Sequence, residues 1–130
     1  PMVAKNRNVL KTMIIDDDDM IRAYLRIMLK DEGIEEIEEA GNAEKARKLL
    51  MLCPARLILL DINLPDIDGI DFLKEILSNY PDSHVVMVSS ETTMERVKTA
   101  VANGAKGFIA KPFNANTVYK QISSLVEQIR

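Results

Sequence analysis

The sequence has only one cysteine and lacks a long hydrophobic run, and these two features already exclude several classes of protein. Cys53 is the only cysteine in 130 residues, so the chain cannot form an internal disulfide. No apolar run approaches the roughly 20 residues that a membrane-spanning helix needs, and no signal peptide opens the chain. We therefore expect a cytoplasmic domain that does not associate with a membrane.

The sequence also lacks an excess of positive charge. It contains 17 Lys and Arg residues and 20 Asp and Glu residues, which give a net charge of −3. The basic residues are scattered and form no stripe that could follow a phosphate backbone. The only histidine, His84, opens an apolar segment, and a structural or exposed role is favoured for it. These features argue against nucleic-acid binding and against histidine-based catalysis.

Common phosphate-binding and calcium-binding motifs are absent. The chain has no GxxxxGK[ST] phosphate loop, and no GxGxxG follows an apolar segment. The acidic stretch 61–71 does not have the spacing of a calcium hand, because Leu64 stands where the first aspartate would be. The sequence is therefore not that of a P-loop, dinucleotide-binding or calcium-hand protein.

The length is that of one domain, since single domains commonly contain about 100–150 residues. The first residue is Pro rather than Met, so residues 1–8 are interpreted as an N-terminal extension or a cloning scar. Residues 9–130 are predicted to form the domain. They contain no internal repeat, low-complexity stretch or linker.

Apolar segments alternate with amphipathic ones along the whole domain. Five short segments have the composition of buried strands, and five segments between or after them have apolar residues at helical spacing. This alternation predicts an α/β fold, a doubly wound (βα)5 domain with a five-stranded parallel sheet and helices on both faces. The predicted strands are Val9–Ile15, Ile34–Ala40, Leu57–Leu60, Val85–Val88 and Phe108–Ala110. The predicted helices centre on 20–28, 43–52, 70–80, 92–103 and 118–129.

Polar residues follow four of the predicted strands directly. Asp16 and Asp17 follow the first strand, Asp61 the third, Ser89 the fourth and Lys111 the fifth. The carboxyl ends of parallel strands meet at one edge of a sheet, where ligands of open α/β folds bind. We therefore expect three carboxylates, a hydroxyl and an ammonium to lie together at this edge.

These residue types fit phosphoryl transfer assisted by a metal ion. Three adjacent carboxylates repel one another, and Mg²⁺, which prefers oxygen ligands, would relieve that repulsion. Asp61 could then act as a nucleophile toward phosphorus, with Ser89 and Lys111 stabilising the transferred group. The run Asp16 to Asp19 could instead be a solvated helix N-cap, and that interpretation is favoured for Asp18 and Asp19.

Four stretches together resemble the receiver domains of two-component response regulators. They are MIIDD ending at Asp17, LDINLPDIDG ending at Gly69, VSS ending at Ser90, and AKPF ending at Phe113. The resemblance covers the chain from about Val9 to Ile129 and is to receivers of the chemotaxis-regulator type. It implies the flavodoxin-like strand order 2-1-3-4-5.

The resemblance also implies roles for individual residues. Asp61 would be the phosphoacceptor, and Asp16, Asp17, Asp61 and the backbone carbonyl of Asn63 would bind Mg²⁺. Lys111 would be the lysine that receiver domains carry at the phosphorylation site, and Pro112 would follow a cis peptide bond. Ser89 would be the switch hydroxyl, and Phe108 would be the aromatic switch. Simple core packing is the alternative for Phe108.

The function implied is signalling rather than catalysis. A sensor histidine kinase or a histidine phosphotransfer protein would phosphorylate Asp61, and the surface of the fourth helix, fifth strand and fifth helix would then change toward a downstream effector. The only reactions expected of the domain itself are phosphorylation from small donors and self-dephosphorylation. A phosphorylation-dependent homodimer is left open. The alternative is a Mg²⁺-dependent aspartyl-phosphate phosphohydrolase, which usually carries its nucleophile after the first strand in a D-x-D motif and has a large cap.

Overall fold

Five parallel strands form the centre of the fold and lie in the order β2-β1-β3-β4-β5. A computed structural model of the chain describes residues 10–129. The flavodoxin-like order implied by the resemblance is therefore confirmed. The strands are β1 (Lys11–Ile15), β2 (Glu36–Ala40), β3 (Leu57–Asp61), β4 (His84–Ser89) and β5 (Gly107–Ala110), and the helices are α1 (Asp19–Asp31), α2 (Ala43–Leu52), α3 (Gly69–Asn79), α4 (Met94–Ala102) and α5 (Ala115–Ile129).

The register of the strands brings their carboxyl ends to one edge. Ile15 pairs with Leu60, Asp61 pairs with Val88, and Ser89 pairs with Ala110. β3 is buried along its whole length because it lies at the centre of the sheet with helices on both faces. Asp16 after β1, Asp61 at the end of β3 and Lys111 after β5 consequently lie at the same edge of the sheet.

The sheet separates two apolar cores. α1 and α5 cover one face, with Leu25, Leu29 and Ile122 among the buried residues, and α2 and α3 cover the other around Phe72. Burial of these apolar side chains supplies the main driving force for folding. Helix α4 differs from the others because Ala100 is its only buried residue.

Side-chain caps define where several helices begin. The Asp18 carboxylate accepts hydrogen bonds from the backbone of Met20 and Ile21, so the predicted N-cap role is confirmed for Asp18, and Asp19 is the first helical residue. Thr93 caps α4 by accepting a hydrogen bond from the backbone N–H of Arg96. α1 ends at Asp31, two residues before Gly33, whose φ of 83° is the left-handed conformation that follows many helices.

The limits predicted for the domain, residues 9 and 130, lie outside the described residues and stay a prediction. The extension or scar predicted for residues 1–8 lies outside the described residues. Strand β2 begins at Glu36, two residues later than the predicted Ile34, and lies at the sheet edge as expected. Within residues 10–129, no helix is both long enough and apolar enough to cross a membrane.

Candidate functional site

Asp61 is the last residue of β3, and its carboxylate lies in a nearly closed setting. The residue is 4% exposed, and its Oδ1 accepts a hydrogen bond of 3.1 Å from the backbone N–H of Asn63. Burial raises the pKa of the Asp61 carboxyl, and the nearby Asp16 charge adds to that rise; the Asn63 N–H and Lys111 oppose it. The charged carboxylate is thus costly here unless a cation is close.

Asp16 and Asp17 complete a group of three carboxylates. Asp16 is buried, and its position after β1 is fixed because its N–H donates to Ala40 O at 3.0 Å. Its Oδ1 accepts from the N–H of Asp18 at 2.9 Å. Asp17 is exposed, and one carboxylate oxygen from each of Asp16, Asp17 and Asp61 lies within 4.8 Å of the others.

Lys111 provides the cation that the structure places in this group. Its Nζ lies 2.8 Å from Asp16 Oδ2 and 3.2 Å from Asp61 Oδ2. Burial alone would lower the pKa of the Lys111 ammonium, but the ion pairs with Asp16 and Asp61 outweigh burial and raise it. The backbone N–H of Lys111 donates to the carbonyl oxygen of Ser89 at 2.9 Å. The Lys111–Pro112 peptide bond is cis, as expected.

The donor set fits a hard divalent cation. Three carboxylates and one ammonium leave two negative charges uncompensated. The atoms that could bind a metal ion are all carboxylate oxygens, which are the ligands that Mg²⁺ prefers. Asp17 lies on the open side of the group, so an ion and its waters could reach the site without passing through the core. Asn63 contacts Asp61 through its backbone N–H.

Comparison with known proteins agrees with this geometry. Residues 12–123 match the response regulator receiver domain. The chain belongs to the response regulator receiver domain family. It is 33% identical over 114 residues to the chemotaxis protein CheY of Listeria monocytogenes. The alignment covers 88% of this chain and 96% of that protein.

Solved receiver structures have the same architecture. A CheY-like receiver domain protein from Methanospirillum hungatei superposes with a TM-score of 0.85 at 26% identity, covering 93% of this chain and 96% of that one. A CheX–CheY–BeF3–Mg²⁺ complex from Borrelia burgdorferi contains a chain with a TM-score of 0.83 and 28% identity, covering 89% of this chain and 88% of that one. The flavodoxin-like fold of this receiver domain is therefore shared with chemotaxis regulators.

Ser89 and Phe108 lie close to the edge of the sheet that carries the acidic group. Ser89 is fully buried, and its Oγ accepts a 3.0 Å hydrogen bond from the N–H of Glu91 in the loop before α4. Phe108 is half-buried and packs against the core on the α2–α3 face. The assignment of a switch role to either side chain stays a prediction.

Two acidic residues of the β3–α3 loop of this receiver domain have roles that the sequence analysis missed. The Asp66 carboxylate accepts hydrogen bonds of 3.0 Å from the N–H groups of Ala43 and Glu44, so the loop is joined to the beginning of α2. Asp68 caps α3 through Oδ1 and pairs with Arg96 of α4 through Oδ2. Asp followed by Gly and an apolar helix could have predicted the Asp68 cap.

Gly69 allows the start of α3 to approach the acidic group. A Cβ atom at this position would lie 2.8 Å from Ile62 O and still closer to the backbone of Asp61 and Ile62. The Gly69 N–H donates to Ile62 O at 2.6 Å. The missing side chain is therefore a condition for the observed conformation of the residues just after Asp61.

Proposed function

We propose that this receiver domain accepts a phosphoryl group on Asp61 and transmits the event through a change of surface. The observation that carries the proposal is the position of the Asp61 carboxylate, which is buried near the Asp16 carboxylate and lies 3.2 Å from the Lys111 ammonium. Carboxylates serve as phosphoryl-accepting nucleophiles when nearby cations reduce the repulsion between the two anionic reactants. The membership of the receiver family supports the same assignment.

The residues of the site divide the chemistry among them. One Asp61 oxygen would attack phosphorus as the donor's bond to phosphorus breaks and the leaving group takes up a proton. Lys111 would offset negative charge on the transferred group from the position it already occupies beside Asp61. Mg²⁺, bound by Asp16, Asp17, Asp61 and the Asn63 carbonyl, would supply further positive charge at the phosphoryl oxygens.

The response would begin at Ser89. Its oxygen now accepts the Glu91 N–H, and its O–H would donate to a charged phosphoryl oxygen on Asp61, which would draw the Ser89 side chain toward Asp61. Movement of Ser89 would release space near Phe108, which would turn inward. The output surface, defined as α4, β5 and α5, would then change toward an effector.

The phosphoryl donor in the cell would be a sensor histidine kinase or a histidine phosphotransfer protein. This part of the proposal follows from membership of the receiver family. A downstream protein or domain would bind the phosphorylated form, and self-association on phosphorylation would be one form of that response.

The decisive experiment is phosphorylation by acetyl phosphate in the presence of Mg²⁺, followed by intact-mass measurement. The wild type should gain one phosphoryl group, and Asp61→Asn should gain none because an amide cannot attack phosphorus. Asp71→Asn, a matched change at an exposed carboxylate of α3, should be labelled like the wild type.

Three results would contradict the assignment. Equal labelling of the wild type and Asp61→Asn would place the phosphoryl group elsewhere, and no labelling of the wild type would exclude the acceptor role. Steady multiple-turnover release of phosphate from p-nitrophenyl phosphate would favour the phosphohydrolase that the sequence raised as the alternative.

A further inference from the structure

Arg96 joins the loops that follow the two neighbouring strands β3 and β4. Its Nη2 lies 2.6 Å from Asp68 Oδ2 in the β3–α3 loop and 3.7 Å from Glu91 Oε2 in the β4–α4 loop. The first loop follows Asp61 and the second follows Ser89. A single guanidinium in the first turn of α4 is thus bound to the segments that carry both residues.

The Asp68 side chain has a second contact that orients it toward Arg96. Its Oδ1 accepts a 2.8 Å hydrogen bond from the N–H of Ile70, so the carboxylate is already oriented by its capping of α3. Partial burial would raise the pKa of Asp68, but the Arg96 guanidinium and the Ile70 N–H outweigh burial and lower it. Asp68 is therefore charged at neutral pH and can pair with Arg96 while it caps α3.

Glu91 connects the same guanidinium to Ser89. The Glu91 side chain faces Arg96, and its backbone N–H donates to Ser89 Oγ at 3.0 Å. If the Ser89 hydroxyl moves to another partner, the Glu91 N–H loses its acceptor and the loop must rearrange. Such a rearrangement would disturb the contact of Glu91 with Arg96, because both groups belong to one residue.

We propose that Asp68, Arg96 and Glu91 form an ion-pair latch that keeps the Ser89 hydroxyl bonded to Glu91 and helix α4 close to α3, so that the latch opposes the response. The inference rests on the proposed function, because it concerns the movement that a phosphoryl group on Asp61 would cause. A contact that is made in only one of two states shifts their equilibrium by its own free energy.

Even a modest ion pair can affect the position of helix α4, because few other contacts hold this helix. Ala100 is its only buried residue, so apolar packing contributes little to its position. Among residues 10–129, Arg96 Nε has no hydrogen-bond acceptor although the atom is buried, so the latch leaves one donor unsatisfied. The side chains of Arg96 and Asp68 are 28% and 41% exposed, which indicates a weak pair that can break.

The test measures the affinity of the full chain for beryllium trifluoride, a phosphoryl mimic, in the presence of Mg²⁺ by isothermal titration calorimetry. Arg96→Gln and Asp68→Asn each remove the pair, and Asn retains the cap of α3. Both variants should bind the mimic about two- to fivefold more tightly than the wild type. The double variant should bind no more tightly than the better single variant, because both changes break the same contact.

The two single variants separate a latch from a general effect of charge. A long-range effect on an anionic ligand would weaken its binding to Arg96→Gln and strengthen its binding to Asp68→Asn, whereas the latch predicts tighter binding to both. Arg96→Lys, which can keep a pair, should fall between Arg96→Gln and the wild type. Arg47→Gln is the matched control, since it removes the exposed pair of Arg47 with Glu75 between α2 and α3.

The possible results also separate this inference from the proposed function. A wild type that does not bind the mimic, or an Asp61→Asn variant that binds it equally well, would contradict the phosphoacceptor assignment itself. A wild type that binds normally, with Asp68→Asn and Arg96→Gln no tighter than wild type, would overturn the latch alone. If Arg96→Gln does not fold, the comparison of Asp68→Asn with Asp71→Asn decides the question, because each removes one negative charge near the start of α3 but only Asp68 pairs with Arg96.

Discussion

The Nζ atom of Lys111 lies 2.8 Å from Asp16 Oδ2, closer than its 3.2 Å distance from Asp61 Oδ2. The ammonium thus forms its shorter ion pair with a carboxylate that we assign to cation binding, and its longer one with the proposed phosphoacceptor. Lys111 and a divalent cation consequently compete for the negative charge of the same two carboxylates.

Removal of the ammonium should therefore increase the affinity for Mg²⁺. We expect Lys111→Ala to bind Mg²⁺ several-fold more tightly than the wild type, because one positive charge leaves the carboxylate group. Titration of Mg²⁺ at constant ionic strength, followed by amide chemical shifts of residues 16–18 and 61–63, measures the change. Lys106→Ala removes an exposed charge before β5 and should have no effect. Unchanged or weaker binding by Lys111→Ala would contradict the competition.

The position of Gly69 leads to a second prediction. Gly69→Ala should lower the free energy of unfolding by about 2–3 kcal/mol, because the added Cβ would overlap the backbone of Asp61 and Ile62. Gly41→Ala is the control, since its Cβ would lie 3.5 Å from Arg22 Nη1, an ordinary contact distance. Urea titrations compare the two variants, and equal stability of both would show that the loop adapts without cost.

A third prediction concerns a hydroxyl in the core. Thr12 is fully buried, and within the described part of the chain its Oγ1 has no hydrogen-bond partner. Thr12→Val should raise the free energy of unfolding by about 1 kcal/mol, because the desolvated hydroxyl is replaced by a methyl group of similar shape. Thr99→Val should give no such gain, since Thr99 Oγ1 donates to Glu95 O at 2.8 Å. A loss of stability in Thr12→Val would indicate that the hydroxyl has a partner.

The fourth prediction concerns pH. Partial burial would raise the pKa of Glu39, but hydrogen bonds with Arg26 and Arg22 of α1 outweigh it and lower the pKa below its ordinary 4.5. The charged form therefore stabilises the fold above that pH, and the contribution is lost as the pH falls through the lowered value. Glu39→Gln should cost about 1 kcal/mol near neutral pH and less in acid.

Urea titrations at several pH values measure this difference, and Glu36→Gln on the exposed part of the same strand is the control. A cost for Glu39→Gln that stays constant from neutral to acid pH would show that shape rather than charge is responsible.

Much of the fold could be predicted because its signals are local and mutually consistent. The apolar segment before Asp61 is a strand, and the cap and glycine around Asp68 mark the next helix. Since parallel strands end at one edge, the meeting of Asp16 with Asp61 and Lys111 could be predicted from strand ends alone.

The contacts that could not be predicted join residues on separate loops. Asp66 binds the N–H of Ala43, and Asp68 binds Arg96 from 28 positions away. The sequence contains no pattern that predicts either pair, because each pair depends on the relative positions of two separate loops above the sheet. The unsatisfied hydroxyl of Thr12 was missed because Thr is also a favourable residue in strands.

The near absence of buried residues in α4 has a consequence for how this domain can diversify. Most substitutions on α1, α2, α3 or α5 must preserve an apolar face, whereas α4 needs little beyond Ala100 to satisfy the core. Met94, which is 69% exposed, and Val101, which is 55% exposed, can therefore change at little cost in stability. Because α4 belongs to the proposed output surface, descendants of one gene could acquire different binding partners while retaining the same fold.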